Sequence, residues 1–334
     1  MRRVWIRLMA IALPLALIGV CVVLTPRARE QAYVAYAKGY WQRMHPGTFT
    51  PAVADPVQAQ LLTQLPVGVS TLTPETLGML KTVDLSYIWI DNPDISPIRF
   101  CTSATKVSLV NLQLKRDDLK PVATLLNVTD LDLSNPPPPR SCWWIPPDEP
   151  IDLAPLAGLI HLKKLDLTDR SLNDLSPLAG LTQLEELDLG FRRGVDLSPL
   201  RSLDHLRVLK LQYFGPDQSF RGLAGMKGLE EVDLAWAGDV SNKLNLTGLE
   251  SVLSLRTLNV SMCPIAGLAP LSRHPHLETL VINECDFSDL SALTECPHLK
   301  SVKVSRHGTW TAADERAKVA LQSRGVQVER RSGG

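Results

Sequence analysis

The chain has 334 residues, of which 45% are hydrophobic and 21% are charged, a composition typical of a globular protein with a sizeable core. Its 35 basic residues balance 35 acidic ones, so the formal net charge is zero at pH 7. Because no overall positive charge is available to hold DNA or RNA, we expect no nucleic-acid partner.

A hydrophobic segment lies near the start of the chain. Residues 8–24 carry no charge and follow three arginines. This run is long enough for a short transmembrane helix and slightly longer than the apolar stretch of a cleaved signal peptide. Because no A-x-A cleavage site follows it directly, we predict an uncleaved signal anchor over residues 1–26, which contacts the membrane through residues 8–24.

The charges around this segment predict its orientation. The preceding arginines favour a cytoplasmic N-terminus, although Arg27 and Arg29 weaken the asymmetry. The chain would then be a single-pass protein of the inner (cytoplasmic) membrane with its remaining residues outside the cytoplasm, in the periplasm of a Gram-negative bacterium. Residues 27–55 are predicted to be a juxtamembrane tether. Cleavage, which would release a secreted protein, remains the alternative.

Short apolar-x-apolar triplets dominate the rest of the chain. Most recur every 22 to 26 residues, and one interval of 34 residues is longer. Between them runs a second signature, such as Asp-Leu-Ser-Pro-Leu-Ala-Gly-Leu at residues 174–181. The triplets begin at Val83, Val107, Leu131, Leu165, Leu187, Leu209, Val232, Leu258, Leu280 and Val302.

With these ten triplets the chain resembles bacterial leucine-rich-repeat proteins of the 22-residue, internalin-like type, over roughly residues 83 to 328. The resemblance implies an α/β solenoid, a horseshoe or arc of about ten parallel strands. In each triplet the two apolar side chains should point into the core while the middle one points out. No single repeat can bury its apolar face, so stacking must build one continuous core.

Both ends of such a stack need a cap. We assign the leucine-rich-repeat domain to residues 56–328, with a helical N-terminal cap at residues 56–82 and a C-terminal cap at residues 309–328. In the second cap, Thr311 and Asp314 have capping-box spacing and Gly325 is the expected helix terminator, followed by a last edge segment at residues 326–328. Residues 329–334 are predicted to be a disordered tail.

The long interval contains a proline-rich insertion at residues 135–150. Its prolines cannot donate backbone hydrogen bonds, so we expect an extended loop that leaves the solenoid and carries Cys142, Trp143 and Trp144. The two tryptophans could contact a partner, or they could fold back over neighbouring repeats.

The outward triplet positions are mainly acidic in the first seven repeats and nearly neutral in the last three. Asp166, Asp188 and Asp233 occupy them, with Glu186 and Glu231 beside them. These carboxylates could bind a partner, and they could equally form an ordinary solvated face, because aspartate is common at this place in related repeats.

Two residues beyond four consecutive triplets stand Phe191, Tyr213, Trp236 and Met262. In a chain with only 5% aromatic residues, this succession predicts an apolar stripe beside the acidic one. The other interpretation is that these side chains only cover the edge of the sheet.

The cysteines and histidines carry little functional signal. Aligning the repeats places Cys263 and Cys285 at an inward position and Cys101 and Cys296 at a core-leucine position, so core thiols are expected rather than disulfides. Four histidines share one turn position, which indicates a polar turn more than a metal site. They are His161, His205, His276 and His298.

These patterns predict a membrane-tethered protein-interaction module that binds a protein or peptide of basic or amphipathic character through its concave face. No catalytic motif is present, so we predict no enzyme activity and neither a metal nor another cofactor. The predicted contact residues are Phe191, Tyr213, Trp236, Met262, Asp166, Glu186, Asp188, Glu231, Asp233, Trp143 and Trp144. A secreted adhesin or effector is the alternative function.

Overall fold

The computed structural model describes residues 56–66, 71–86, 88, 93–135, 149–190, 195–213, 220–238, 243–285, 290–306 and 310–330. In these ranges eleven strands form one parallel sheet in strict chain order. The strands are β1 Thr82–Asp84, β2 Lys106–Ser108, β3 Asp130–Asp132, β4 Lys164–Asp166, β5 Glu186–Asp188, β6 Val208–Lys210, β7 Glu231–Asp233, β8 Thr257–Asn259, β9 Thr279–Cys285, β10 Ser301–Arg306 and β11 Gln327–Arg330. The parallel solenoid is confirmed, and its sheet has one strand more than the ten triplets indicate. This last strand is the predicted edge segment, and it extends to Arg330, two residues into the predicted tail.

Each strand pairs with the next at the same repeat position. Leu165 faces Leu187, and Leu187 faces Leu209. All three side chains are at most 2% exposed, and Leu189, at the end of the same triplet as Leu187, is fully buried. Because each triplet alternates inward and outward side chains, in-register stacking produces a continuous ladder of buried leucines.

Short 3₁₀ helices form the return segments. Several of them begin after an Asx turn; for example, the carboxylates of Asp174 and Asp196 accept the backbone N–H groups of Ser176 and Ser198 at 2.8 and 2.9 Å. The following proline fixes φ near its helical value. Their bounds are Ser96–Phe100, Lys120–Thr124, Ala154–Leu156, Ser176–Leu178, Ser198–Ser202, Phe220–Leu223, Leu249–Ser251, Ala269–Leu271 and Ser291–Glu295. This geometry explains the Asp-Leu-Ser-Pro signature.

In some repeats the inward position after the triplet carries a hydrogen bond to the preceding repeat. The thiols of Cys263 and Cys285 donate to the carbonyls of Leu234 and Val260, at 3.0 and 2.9 Å. Burial raises the pKa of Cys263 to about 12 and that of Cys285 to about 11. The four cysteines of the described chain, including Cys101 and Cys296, are all buried and free, as the repeat alignment predicts. Cys142 lies outside the described residues.

The buried guanidinium of Arg170 occupies the same inward position in an earlier repeat. This residue is only 1% exposed, and its Nε donates to the Leu133 carbonyl at 2.5 Å. The repeat alignment did not reveal it, because arginine is rarely buried without a charged partner or several hydrogen bonds.

At the N-terminal end, helices α1 (Pro56–Thr63) and α2 (Pro74–Leu77) lie beside the first repeat. The side-chain amide of Gln64 closes the edge of β1. Its Nε2 donates to the Asp84 carbonyl at 2.6 Å, and its Oε1 accepts the Asp84 N–H at 2.8 Å. One side chain thus replaces the missing neighbouring strand and protects an edge that could otherwise pair with another chain.

At the C-terminal end, helix α3 (Ala312–Ser323) begins with the predicted capping box between Thr311 and Asp314. Gly325 has φ 83°, a left-handed conformation that ends the helix at little cost. The guanidinium of Arg324 donates to the carbonyls of Thr294 and Cys296. This arginine therefore attaches the end of the helix to the last 3₁₀ segment.

The predicted signal anchor, tether and most of the proline-rich insertion lie outside the described residues. Within the described ranges, no helix combines the length and apolar character needed to cross a bilayer.

A histidine replaces a core leucine in the ninth repeat. His274 is 2% exposed, and its Nε2 donates to the Val252 carbonyl at 3.0 Å. Its Nδ1 is buried and has no hydrogen-bond partner among the described residues. Burial lowers the pKa of His274 below its usual value, and the nearby His276 adds to this decrease, whereas the bond to Val252 opposes it. The neutral imidazole is therefore the form that suits this core.

Replacing Leu187 by alanine should lower the free energy of unfolding by about 2 to 5 kcal/mol, because the ladder cannot fully collapse around the cavity. Denaturant unfolding followed by circular dichroism measures this change. Thr182→Ala, at an exposed position of the same repeat, is the control and should stay within about 0.5 kcal/mol of the wild type. Equal stability of the two variants would contradict a shared, tightly packed core.

His274 should make the solenoid less stable in acid. The pKa of the unfolded histidine is near 6.5, and that of the folded one is lower. The neutral imidazole therefore makes its full contribution to the free energy of unfolding above about pH 6.5. This contribution falls as the pH drops through and below that value. We expect His274→Leu to reduce the difference between unfolding midpoints at pH 8 and pH 5. His161→Gln, at an exposed turn, should leave this difference as in the wild type. The same pH dependence in His274→Leu would rule out the buried imidazole as its source.

Candidate functional site

The acidic side chains on the concave face stabilise the backbone turns that follow the strands. The carboxylate of an outward aspartate accepts a hydrogen bond from the backbone N–H of the second residue after it. Thr168 donates to Asp166 at 2.8 Å, and Ala235 donates to Asp233 at 2.9 Å. The same bond recurs at Asp84, Asp132, Asp188 and Asn259. These side chains fix the turn that leaves each strand. The sequence signal for this role is the recurring Asp or Asn at the middle position of the triplet, a pattern that the sequence also allowed to be an ordinary solvated face.

Contacts within the protein already engage several of these carboxylates. Burial raises the pKa of both Asp166 and Asp188, and the Asp166 carboxylate raises that of Asp188 further. Asp188 also lies 3.5 Å from the ammonium of Lys210. The side-chain amides of Gln212 and Asn259 each donate to Asp233 at 3.0 Å. Much of the predicted acidic stripe is therefore neutralised or hydrogen-bonded within the protein.

Ion pairs between neighbouring repeats line the side of the sheet where the strands begin. Glu186, a predicted contact residue, lies 2.6 Å from Lys164. Similar pairs join Lys106 to Asp130, Lys163 to Glu185, Arg207 to Glu230, and both Arg256 and Lys300 to Glu278, at 2.5 to 3.4 Å. Each pair has one partner on each of two adjacent repeats.

Glu231 departs from this pattern. Its in-register neighbours are Val208 on β6 and Thr257 on β8, neither of which carries a charge. The side chain is exposed and forms no ion pair with any described residue. Its negative charge is thus available at the start of β7.

At the other edge of the sheet, Tyr213 and Trp236 form an exposed aromatic pair. Their ring centroids are 6.1 Å apart and their planes differ by 19°. The residues are 43% and 48% exposed, and Met262 follows on the next repeat, partly buried. The structure thus brings two of the four predicted stripe residues into direct contact. Phe191, Trp143 and Trp144 lie outside the described residues.

The backbone at these positions is left-handed. Tyr213, Trp236 and Met262 have φ values of 60°, 64° and 62°, and Asn111 and Asp169 have similar values at the equivalent position. The Trp236 N–H donates to the Ser261 carbonyl at 2.9 Å, which keeps the turn in register with the next repeat. Asparagine and aspartate tolerate this conformation, whereas other residues typically lose about 1 to 2 kcal/mol. Backbone preference therefore does not explain tyrosine and tryptophan here.

The concave face is open rather than enclosed. A shallow groove of about 290 Å³ lies where the strands begin, and a second of about 170 Å³ lies over the acidic stripe. Among the described residues, no group of three or more histidine, cysteine and carboxylate side chains could hold a metal ion. His276 and His298 stack with centroids 6.1 Å apart, and His205 contacts the Thr182 carbonyl at 2.9 Å, as polar turn residues can.

No protein-family model matches the chain, and no curated protein matches its sequence. Solved structures do resemble it. An internalin (inlF) from Listeria monocytogenes has a TM-score of 0.61 and 21% identity, covering 82% of this chain and 75% of its own. Internalin C2 from the same species has a TM-score of 0.49 and 23% identity, and the match covers 75% of this chain and 92% of internalin C2. The plant peptide hormone receptor RGFR1, in complex with RGF2, has a TM-score of 0.44 and 17% identity, and the match covers 62% of this chain and 32% of the receptor chain.

The first of these likenesses agrees with the strand order and the buried leucine ladder described above. It extends over most of both chains, although only about one residue in five is identical. The chain therefore has an internalin-like leucine-rich-repeat fold.

Proposed function

We propose that this solenoid is a protein-interaction module that binds a protein or peptide through its concave face. The observation that carries the proposal is the aromatic pair, Tyr213 and Trp236, which is stacked, exposed and held in an unfavourable backbone conformation. Exposed aromatic side chains beside charge are typical of the residues that dominate binding energy at protein interfaces.

A basic or amphipathic partner fits this face best. Acidic residues outnumber basic ones along the outward strand positions, and Glu231 has no internal counter-ion among the described residues. Catalysis fits it poorly, because an open, solvated surface offers little of the desolvation that shifts the pKa of a catalytic group. Met262 follows the aromatic pair on the next repeat, and Asp166, Glu186, Asp188 and Asp233 on the same face are proposed as secondary contact residues.

We further propose that the module is tethered to the inner membrane by residues 8–24, with the repeats on the extracytoplasmic side. The support is the uncharged run itself and the arginines that precede it. The secreted adhesin or effector remains the alternative, and it requires cleavage after this segment. Trp143 and Trp144 of the proline-rich insertion are additional candidate contacts.

Replacing Tyr213 and Trp236 together by alanine should reduce partner capture from cell-envelope extract by about tenfold or more, the scale expected for interface anchors. Crosslinking the full-length chain to envelope proteins, followed by quantitative mass spectrometry, measures the change. Leu253→Ala, which removes an exposed apolar side chain away from the aromatic pair, is the matched control. Unchanged capture by a folded double variant would exclude the aromatic pair as the anchor.

Before protease treatment, the chain in intact spheroplasts should have its full-length mass. Protease added from outside should then digest the repeats. This outcome follows if the hydrophobic segment is uncleaved and its N-terminus is cytoplasmic. Protection of the repeats would place them in the cytoplasm and contradict the proposed orientation. A shortened, released chain would instead support the secreted alternative.

A further inference from the structure

The charges around Glu231 are unequally compensated. The groove where the strands begin is lined by four carboxylates, from Glu185, Glu186, Glu230 and Glu231, and by two guanidiniums. The guanidiniums belong to Arg207 and Arg256, which pair with Glu230 and Glu278 at 3.0 and 2.5 Å. Glu185 and Glu186 pair with lysines on the preceding repeat. The groove thus retains one uncompensated negative charge, that of Glu231.

The same strand connects this charge to the aromatic pair. Glu231 begins β7, and Trp236 lies three residues beyond its last residue, Asp233. At the usual rise of a strand, five residues span at most about 17 Å. Tyr213 occupies the equivalent position on the preceding repeat and stacks on Trp236. One repeat therefore presents a free carboxylate at one edge of the concave face and an exposed aromatic surface at the other.

We propose that the partner is an extended polypeptide segment that carries a lysine or arginine and, four or five residues away, an aromatic or large apolar side chain. The basic side chain enters the groove beside Glu231, while the apolar one packs on the aromatic pair. In an extended segment this spacing covers about 13 to 17 Å, which is within the upper limit for the five residues from Glu231 to Trp236. The inference rests on the protein-interaction function proposed above and adds the chemistry and spacing of the partner.

A peptide array tests this arrangement with the full-length chain in mild detergent. The probes have the form X-Gly-Ser-Gly-Z in both orders, where X is arginine, glutamine or glutamate and Z is tryptophan or serine. Shorter X-Gly-Z probes test the spacing. We expect the wild type to bind the arginine–tryptophan probe about threefold to fivefold more tightly than the glutamine–tryptophan probe, the effect of one partly exposed ion pair.

Variants identify the residues responsible. Glu231→Gln should abolish the preference for arginine and leave tryptophan recognition intact, and Glu231→Lys should shift the preference to the glutamate probe. The Tyr213→Ala, Trp236→Ala double variant should lose the preference for tryptophan. Glu329→Gln is the matched control, because it removes an exposed carboxylate from β11, four repeats away, and should change nothing.

The outcomes separate this inference from the proposed function. Equal binding of the arginine and glutamine probes, with tryptophan recognition still dependent on the aromatic pair, would overturn the role of Glu231 and leave the binding function standing. Equal binding of the short probes would overturn the spacing. Binding that is indifferent to every variant, or no binding of any probe, would overturn the inference, and the crosslinking experiment on the double variant would then decide the binding function separately.

Discussion

The structure depends on the in-register stacking of buried leucines from one repeat to the next. A strand of three residues makes too few hydrogen bonds and buries too little surface to persist alone, so each repeat is stable only against its neighbours. Both termini of the stack must therefore be closed. At β1 a single amide, that of Gln64, satisfies the backbone of Asp84. At the other end α3 and Arg324 cover the last repeat.

Stacking also determines which positions can evolve for binding. The inward positions are committed to the core, and the outward aspartates are committed to the turns, because Asp166 and Asp233 bind the backbone that follows them. Ion pairs between repeats take up most of the remaining charge on the concave face. What stays free is a small set of side chains whose neighbours on adjacent repeats do not complement them, and Glu231 and the aromatic pair belong to this set.

Periodicity in the sequence was enough to predict the fold, because the same triplet recurs ten times and each occurrence confirms the register of the others. Features that occur once had no such support. His274 occupies a core-leucine position and could have been found by aligning the repeats. The Gln64 cap and the bond from Arg170 to Leu133 depend on three-dimensional contacts that the repeat pattern does not predict. The positions of Tyr213 and Trp236 were predicted, but their left-handed backbone and their stacking were not.

This left-handed position links the fold to the proposed interface. The turn must adopt a positive φ so that each N–H reaches the next repeat, and asparagine or aspartate would meet that need with the least strain. At Tyr213, Trp236 and Met262 the chain has larger side chains whose backbone preference opposes this conformation. The neighbouring repeats nevertheless hold these residues in register, because their backbone hydrogen bonds continue the ladder. A rigid repeat array can thus present bulky side chains in a fixed arrangement, which lowers the entropy lost when a partner packs on them.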